Sequence, residues 1–248
     1  MTQQPAVSPS DIRAFQAENP KTRARDASDA LGISEAQLVA AGVTRGTTRI
    51  AAHPDRIIPA AEKLGEVMAL TRVGACVHEK VGAYGEYHPG EHAAMTLTEN
   101  IDLRIFPAHW IHAFAVETMA EQGPRRSLQI FDAAGDAVHK IHLRESSNHA
   151  AWAETVADLA VADQADTQAV DPRKPVEAPK SRPDKLDILR EEWAKLTDTH
   201  QFLRLCSKLK MNRLGAYRIA DAPWVRQLDP NAADAMLHAV RDAGIEVM

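Results

Sequence analysis

At Gly65 the spacing of the apolar residues changes, and this constrains the fold more than any other feature. Before Gly65 the apolar positions recur at helical spacing. After it they alternate: EVMALTRV, residues 75–84, HAAMTLT, IDLRIF, IHAFAVET, RRSLQIFDAAG and DAVHKIHLRE each read as a half-buried strand. The Ala-Ala-Gly between LQIFD and DAVHKI reads as a hairpin turn. Helices followed by a run of strands predict an α+β fold, with a helical N-terminal part and then a mostly antiparallel β-sheet.

The helices are marked by their ends. SPSDIRAFQAENP carries Ser10 as a candidate cap, and KTRARDASDALGISEAQLVAAGV divides at Gly32, with Ser34 opening its second helix. HPDRIIPAAEKLG has Pro54 near its start and Gly65 near its end. A closing helix, NHAAWAETVADLA, has Asn148 as its candidate cap. Residues 161–183 are rich in Pro, Ala and charge, lack apolar periodicity, and read as a linker. Helical spacing then returns through Leu186, Leu189, Trp193 and Leu196. The expected organisation is a disordered tail (1–9), a first repeat of helices, sheet and closing helix (10–160), the linker, and the helical part of a second repeat (184–248).

That second repeat rests on two landmarks. GEVMAL follows the helix PAAEKL, and GIEVM follows the helix AMLHAVRDA, so Val67 and Val247 are 180 residues apart (247 − 67). Upstream, Leu31 aligns with Leu209 and Ile33 with Met211, 178 apart (209 − 31). Nearly equal offsets suggest a duplicated unit. Its second copy has helices but reaches only the first strand. A cut strand leaves unpaired backbone groups, which calls for packing on the first half or on a partner chain.

Composition excludes several classes. With 248 residues, 45% hydrophobic and 25% charged, the chain is expected to be a soluble globular protein. A net charge of −5 argues against general nucleic-acid binding. No apolar run approaches the roughly 18 residues that span a bilayer, and MTQQPAVSPS lacks the regions of a secretory signal, so a cytoplasmic location without membrane insertion is expected. Cys76 and Cys206 are far apart, fit no zinc spacing, and read as reduced thiols.

Few residues suggest chemistry. Arg104, inside IDLRIF, is either a solvated strand charge or a cation facing an anion or bound ligand. His200, in LTDTHQFLRL, falls in the first turn of a helix that Thr197 or Asp198 could cap. There the helix dipole favours neutral imidazole, the form that binds metal; the plain alternative is a solvent-facing histidine. HWIH (109–112) straddles a turn after Pro107 and lacks a third ligand, so it is a weak zinc candidate. His139 and His142 point to opposite faces of one strand and cannot meet one ion. His78, in HEK, is ambiguous, and Arg125 and Arg126 read as surface charge. The sequence has no GxSxG, Walker loop, GxGxxG or HExxH. LGISEAQLVAAGV has helix-turn-helix spacing, but an αα-hairpin is commoner and SEAQLVAA has no basic residue.

Taken together, NPKTRARDASDALGISEAQLVAA, LGEVMALTRVGACVHEKVG, ENIDLRIFPAHWIHAFAVE, RRSLQIFDAAGDAVHKIHLRE and TDTHQFLRL resemble the HemS/ChuS/PhuS-type proteins. These are cytoplasmic haemin-transport or haemin-degrading factors of Gram-negative bacteria, and the similarity runs from about residue 9 onward. The resemblance implies two structural repeats, each helical and then sheet, with haem (iron protoporphyrin IX) held between the halves. His200 matches the proximal iron ligand. Arg104 matches an arginine on the opposite face, and Arg213, in MNRLGAYR, matches a second pocket arginine suited to a propionate. His78 is a further candidate for haem uptake. Haem is a flat apolar macrocycle with two carboxylates, so its site needs apolar walls, an axial donor and cations. Phe106, Trp110 and Phe202 are candidates for wall, with core packing the commoner fate of such residues.

Three functions follow as expectations. The favoured one is a cytoplasmic haem carrier that hands haem to a haem oxygenase, with the inner-membrane haem importer as another candidate partner. The resemblance implies a second sheet that this sequence does not contain. That would leave haem exposed, which favours a carrier, and it would leave a surface for self-association. The second is an enzyme that opens the porphyrin ring with oxygen or peroxide and a reductant. The third is a non-haem interaction or regulatory domain.

Overall fold

The computed structural model describes residues 7–74, 76–121 and 123–245. The chain forms two compact units, the first ending at Arg173 and the second beginning at Lys174.

The first unit opens with α1 (Pro9–Glu18), α2 (Ala24–Leu31) and α3 (Glu35–Ala40). Ser8, not Ser10, caps α1: its hydroxyl accepts from Asp11 N–H while the Asp11 carboxylate accepts from Ser8 N–H. Pro9 explains the displacement, because a proline suits the first helical position, where no donor is needed. α2 ends at Gly32 in the left-handed region (φ 65), and Ser34 opens α3 in a capping box with Gln37. β1 (Thr47–Arg49) and α4 (Pro54–Glu62) follow.

Every named strand pair is antiparallel. The strands are β2 (Glu66–Val73), β3 (Cys76–Ala83), β4 (Tyr87–His88), β5 (Ala94–Leu97), β6 (Asp102–Ile105), β7 (His112–Ala120), β8 (Gly123–Phe131) and β9 (Ala137–Leu143). Six form one sheet in the order β1-β7-β8-β9-β2-β3, and the other three a small sheet in the order β4-β5-β6. β1 and β4 are three and two residues long, too short to show alternation, and sequence reading missed both. α5 (Trp152–Leu159) closes the unit. Asn148 does not cap it; its amide donates to Lys63 O at 3.1 Å, and a 3-10 turn (His149–Ala151) leads into the helix.

Alternation along the strands feeds two cores. Leu128, Ile130 and Ile141 face one side, where they pack with Ile57, Ile58, Leu64, Val67 and Ile101, all fully buried. Phe114 and Phe131 face the other side, meeting edge to face (5.9 Å, 67°) beneath Ala36 and Ala40 of α3. Each such side chain contributes roughly 1.5–3 kcal/mol by leaving water.

Residues 161–173, read as linker, are tied to the first unit. Arg49 Nε donates to Ala165 O, and Arg49 Nη1 to Gln168 Oε1, each at 2.7 Å. Asp166 pairs with Arg13 at 3.0 Å, and Arg173 grips Asp136 with two hydrogen bonds of 2.7 and 2.8 Å. These anchors are polar, so they leave no apolar period to read. Lys180 belongs instead to the second unit, where its N–H and carbonyl bond the side chain and backbone N–H of Asn212.

The second unit contains α6 (Leu186–Ala194), α7 (Gln201–Lys208), α8 (Arg213–Ala220) and α9 (Ala232–Asp242). Its core holds Leu189, Phe202, Leu205, Cys206, Leu209 and Met211. Trp193 lies 4.3 Å from Phe202, and Tyr217 stacks on Phe202 at 5.3 Å. Helix starts repeat across the units: Pro9, Ala24, Glu35 and Pro54 open α1 to α4, and Leu186, Gln201, Arg213 and Ala232 open α6 to α9. Glu35 and Arg213 stand 178 residues apart (213 − 35). At that same spacing Gly32 and Lys210 (φ 59) are left-handed, and the caps Ser34 and Asn212 accept from Gln37 and Gly215. The strand expected at GIEVM falls largely on residues 246–248, outside the described residues.

Candidate functional site

At the ends of β2 and β9, the first unit forms a half-open cavity of about 770 Å³. That size suits a small-molecule ligand. The segment from Leu103 to Trp110 supplies much of its wall. Alternation turns Leu103 and Ile105 inward and leaves Arg104 exposed, lining the cavity. Phe106, half exposed, and Val138 extend the apolar surface. Trp110 also lines the cavity but is a core residue, stacked on His139 at 5.9 Å and 17°. Phe202 is buried in the core of the second unit.

His139 closes the floor. It is fully buried, with Nδ1 2.9 Å from Thr71 Oγ1 and Nε2 2.5 Å from Tyr84 OH. Burial, then the nearby charge of His142, pushes its pKa down to about 4, so it is neutral at pH 7. Burial likewise raises the Tyr84 hydroxyl above its ordinary value. His142 is also lowered to about 4, by burial and then by Lys140.

Charge gathers on the other face of the same strand ends. Glu35, in the first turn of α3, is buried and lines the cavity. It meets Arg72 of β2 at 3.2 Å and is bonded by Lys140 of β9. Arg25 of α2 donates to Gly74 O at 3.0 Å. Sequence reading missed Arg72, Glu35 and Lys140. Arg72 reads as an ordinary strand residue, and its partners are distant in sequence.

His200 occupies the capping position just before α7 rather than its first turn. It is exposed. Asp198 Oδ1 accepts from its backbone N–H at 2.7 Å and lies 2.8 Å from its Nδ1. A carboxylate only accepts, so Nδ1 carries a proton in this contact, the pattern of a metal-binding histidine oriented by a carboxylate. Arg213 is exposed at the first position of α8. His78 is exposed on edge strand β3, 3.3 Å from Cys76 Sγ, and is not part of the cavity wall. In HWIH, His109 lies in a 3-10 turn against the cavity and His112 begins β7.

The fold and cavity together define an α+β protein with an arginine-lined, partly apolar chamber at its sheet end, followed by a helical unit whose helix starts fall at matching spacing. The haemin-degrading HemS/ChuX domain family matches residues 32–159, and the chain belongs to that family. It is 33% identical over 234 residues to the hemin transport protein HmuS of Yersinia pestis, a match covering 94% of this chain and 67% of that protein. Among solved structures it resembles holo-PhuS, a heme-binding protein from Pseudomonas aeruginosa (TM-score 0.86, 37% identity, 95% of this chain and 70% of that one). It also resembles ChuS, an E. coli heme oxygenase (TM-score 0.78, 27% identity, 94% and 69%). Among the described residues no helix is long and apolar enough to cross a membrane.

Proposed function

We propose that this chain binds haem and acts as a cytoplasmic carrier. The observation that carries the reading is the cavity: its volume, its apolar wall at Leu103, Ile105 and Phe106, and its arginines suit a flat apolar ring bearing two carboxylates. Haem would supply the redox-active iron. His200, with Asp198 holding Nδ1, is the proposed axial ligand. Arg104 is the proposed hydrogen-bond donor on the distal side, Arg213 a proposed cation for a propionate, and His78 a secondary uptake residue. The second unit is proposed as the helical part of a second copy of the first, and self-association through it is part of the proposal. Delivery to a haem oxygenase, and receipt from an inner-membrane importer, complete the carrier reading.

The carrier is preferred because the likeness to PhuS, described as heme-binding, is stronger than that to ChuS (37% against 27% identity). A second reading, oxidative opening of the porphyrin by this chain, is favoured by the likeness to ChuS, which is described as a heme oxygenase.

The deciding experiment is a haemin titration followed by absorbance, on the wild type and His200→Ala. A saturable Soret shift, altered in the variant, is expected. A weak signal that does not saturate, like that of free haemin, would overturn the reading. Loss of the Soret band under reductant with catalase present, yielding a biliverdin-like product, would select the enzyme over the carrier.

A further inference from the structure

Around Glu35, one of the carboxylates that line the cavity, charge does not balance locally. This buried carboxylate carries one negative charge and faces two cations, Arg72 and Lys140. Among the described residues neither cation meets a second carboxylate within ion-pair distance. Both are largely withdrawn from water, with side chains 23% and 11% exposed. A buried excess positive charge is costly unless an anion joins it.

The two cations are not equivalent. Lys140 lies within 5.8 Å of the Phe131 ring centre and bonds Glu35, which fixes the carboxylate. The second Glu35 oxygen then accepts from Nη2 of Arg72. Among the described residues, the other N–H groups of Arg72 have no hydrogen-bond partner, and Arg72 lines the cavity. Arg173, by contrast, commits Nε and Nη2 to Asp136, and Arg25 directs Nη1 at a backbone carbonyl. A guanidinium with spare donors, held by one oriented carboxylate, is suited to a second carboxylate in two-point geometry.

We infer that Arg72 is an anion-holding residue of the cavity and takes one carboxylate of an otherwise apolar ligand. Resting on the haem reading above, that carboxylate is a propionate. Glu35 and Lys140 are positioning residues for it.

The test compares haemin with its dimethyl ester, which keeps the ring and iron but lacks the carboxylates. Affinities are read from Soret titrations of the wild type and Arg72→Gln. The wild type is expected to prefer haemin by about tenfold or more, the scale of one charge-assisted pair. Arg72→Gln is expected to bind the ester as the wild type does and to lose most of the preference. An unchanged preference in a folded variant overturns the inference while the haem reading stands. A wild type that binds neither compound saturably overturns the haem reading and this inference with it. If Arg72→Gln fails to fold, Arg72→Lys decides: it keeps the charge facing Glu35 but loses the fork. It should bind the ester normally with a weakened preference for haemin, and a full preference there would also overturn the inference.

Discussion

One carboxylate oxygen of Asp198 lies 2.7 Å from the backbone nitrogen of His200 and 2.8 Å from its Nδ1. The ring is thereby oriented before any ligand arrives. Removing such a carboxylate typically weakens a histidine–metal bond by ten- to a hundredfold. Asp198→Ala should therefore weaken haemin binding by about that factor, with His200→Ala at least as severe. Asp198→Asn keeps an acceptor oxygen and should fall between. Equal affinities for the wild type and Asp198→Ala in the Soret titration would remove Asp198 from the site.

Buried neutral histidines make stability depend on pH in a fixed direction. The pKa of His139 is about 4 in the folded chain, against an ordinary value of 6.5. Above 6.5 neither state holds the proton, and stability is at its full value. Below 6.5 the unfolded chain takes up a proton that the folded chain refuses, so stability falls as pH falls, until the folded ring protonates near 4. The loss from His139 is on the order of 3 kcal/mol, and His142, lowered for the same main reason, adds in the same direction. Urea midpoints at pH 7.5, 5.5 and 4.5 should decline accordingly. His139→Phe should cost about 1–3 kcal/mol at pH 7.5, because Thr71 and Tyr84 lose a partner, yet show a shallower decline. A slope identical to the wild type would mean that His139 does not carry the effect.

What the sequence showed depended on whether a signal was local. Apart from the two-residue β4, the strands from β2 to β9 announce themselves by alternation, and Gly32 and Ser34 mark a helix stop and start by conformational needs of their own. Arg104 stood out as a cation among apolar neighbours, at an exposed position of the alternation. His200 was singled out by its place at a helix start and given a proposed role only by resemblance, since its orienting contact with Asp198 gives no periodic sign. The Arg72–Glu35–Lys140 group was illegible, because its three members come from β2, α3 and β9 and meet only when the sheet forms. The same holds for Arg49 and residues 164–168: polar anchoring of an irregular segment has no sequence period.

Arg49 offers a direct test of that anchoring. Its backbone exchanges hydrogen bonds with the Gln164 side chain, and its guanidinium reaches Ala165 and Gln168 while lying 5.2 Å from the Phe114 ring centre. Arg49→Ala removes the guanidinium bonds but leaves the backbone pair. The expected result is faster cleavage by a limiting protease between residues 162 and 173, with the rest of the first unit resistant. Cleavage at the wild-type rate would show that the backbone pair and the Arg13–Asp166 bridge suffice.

Gly135 joins the β8–β9 turn to the start of α3, and so to the charged wall. Its φ is +79, a region that side chains rarely adopt, and a Cβ there would lie 2.3 Å from Ser34 Oγ. Its carbonyl also accepts from Ala36 N–H at 3.0 Å. Gly135→Ala should cost about 2–3 kcal/mol, combining left-handed strain with disturbance of the Ser34 cap. A double-mutant cycle with Ser34→Gly separates the two, because glycine removes the obstructing atoms while capping nearly as well. A coupling of about 1 kcal/mol is expected, and simple additivity would show that the Ser34 contact does not matter, leaving backbone strain and the Val170 contact at 2.9 Å as the cause. Since Glu35 follows Ser34 directly and orients Arg72, Gly135→Ala should also reduce the preference for haemin over its dimethyl ester. That makes a turn residue outside the cavity wall a determinant of how the wall meets a carboxylate.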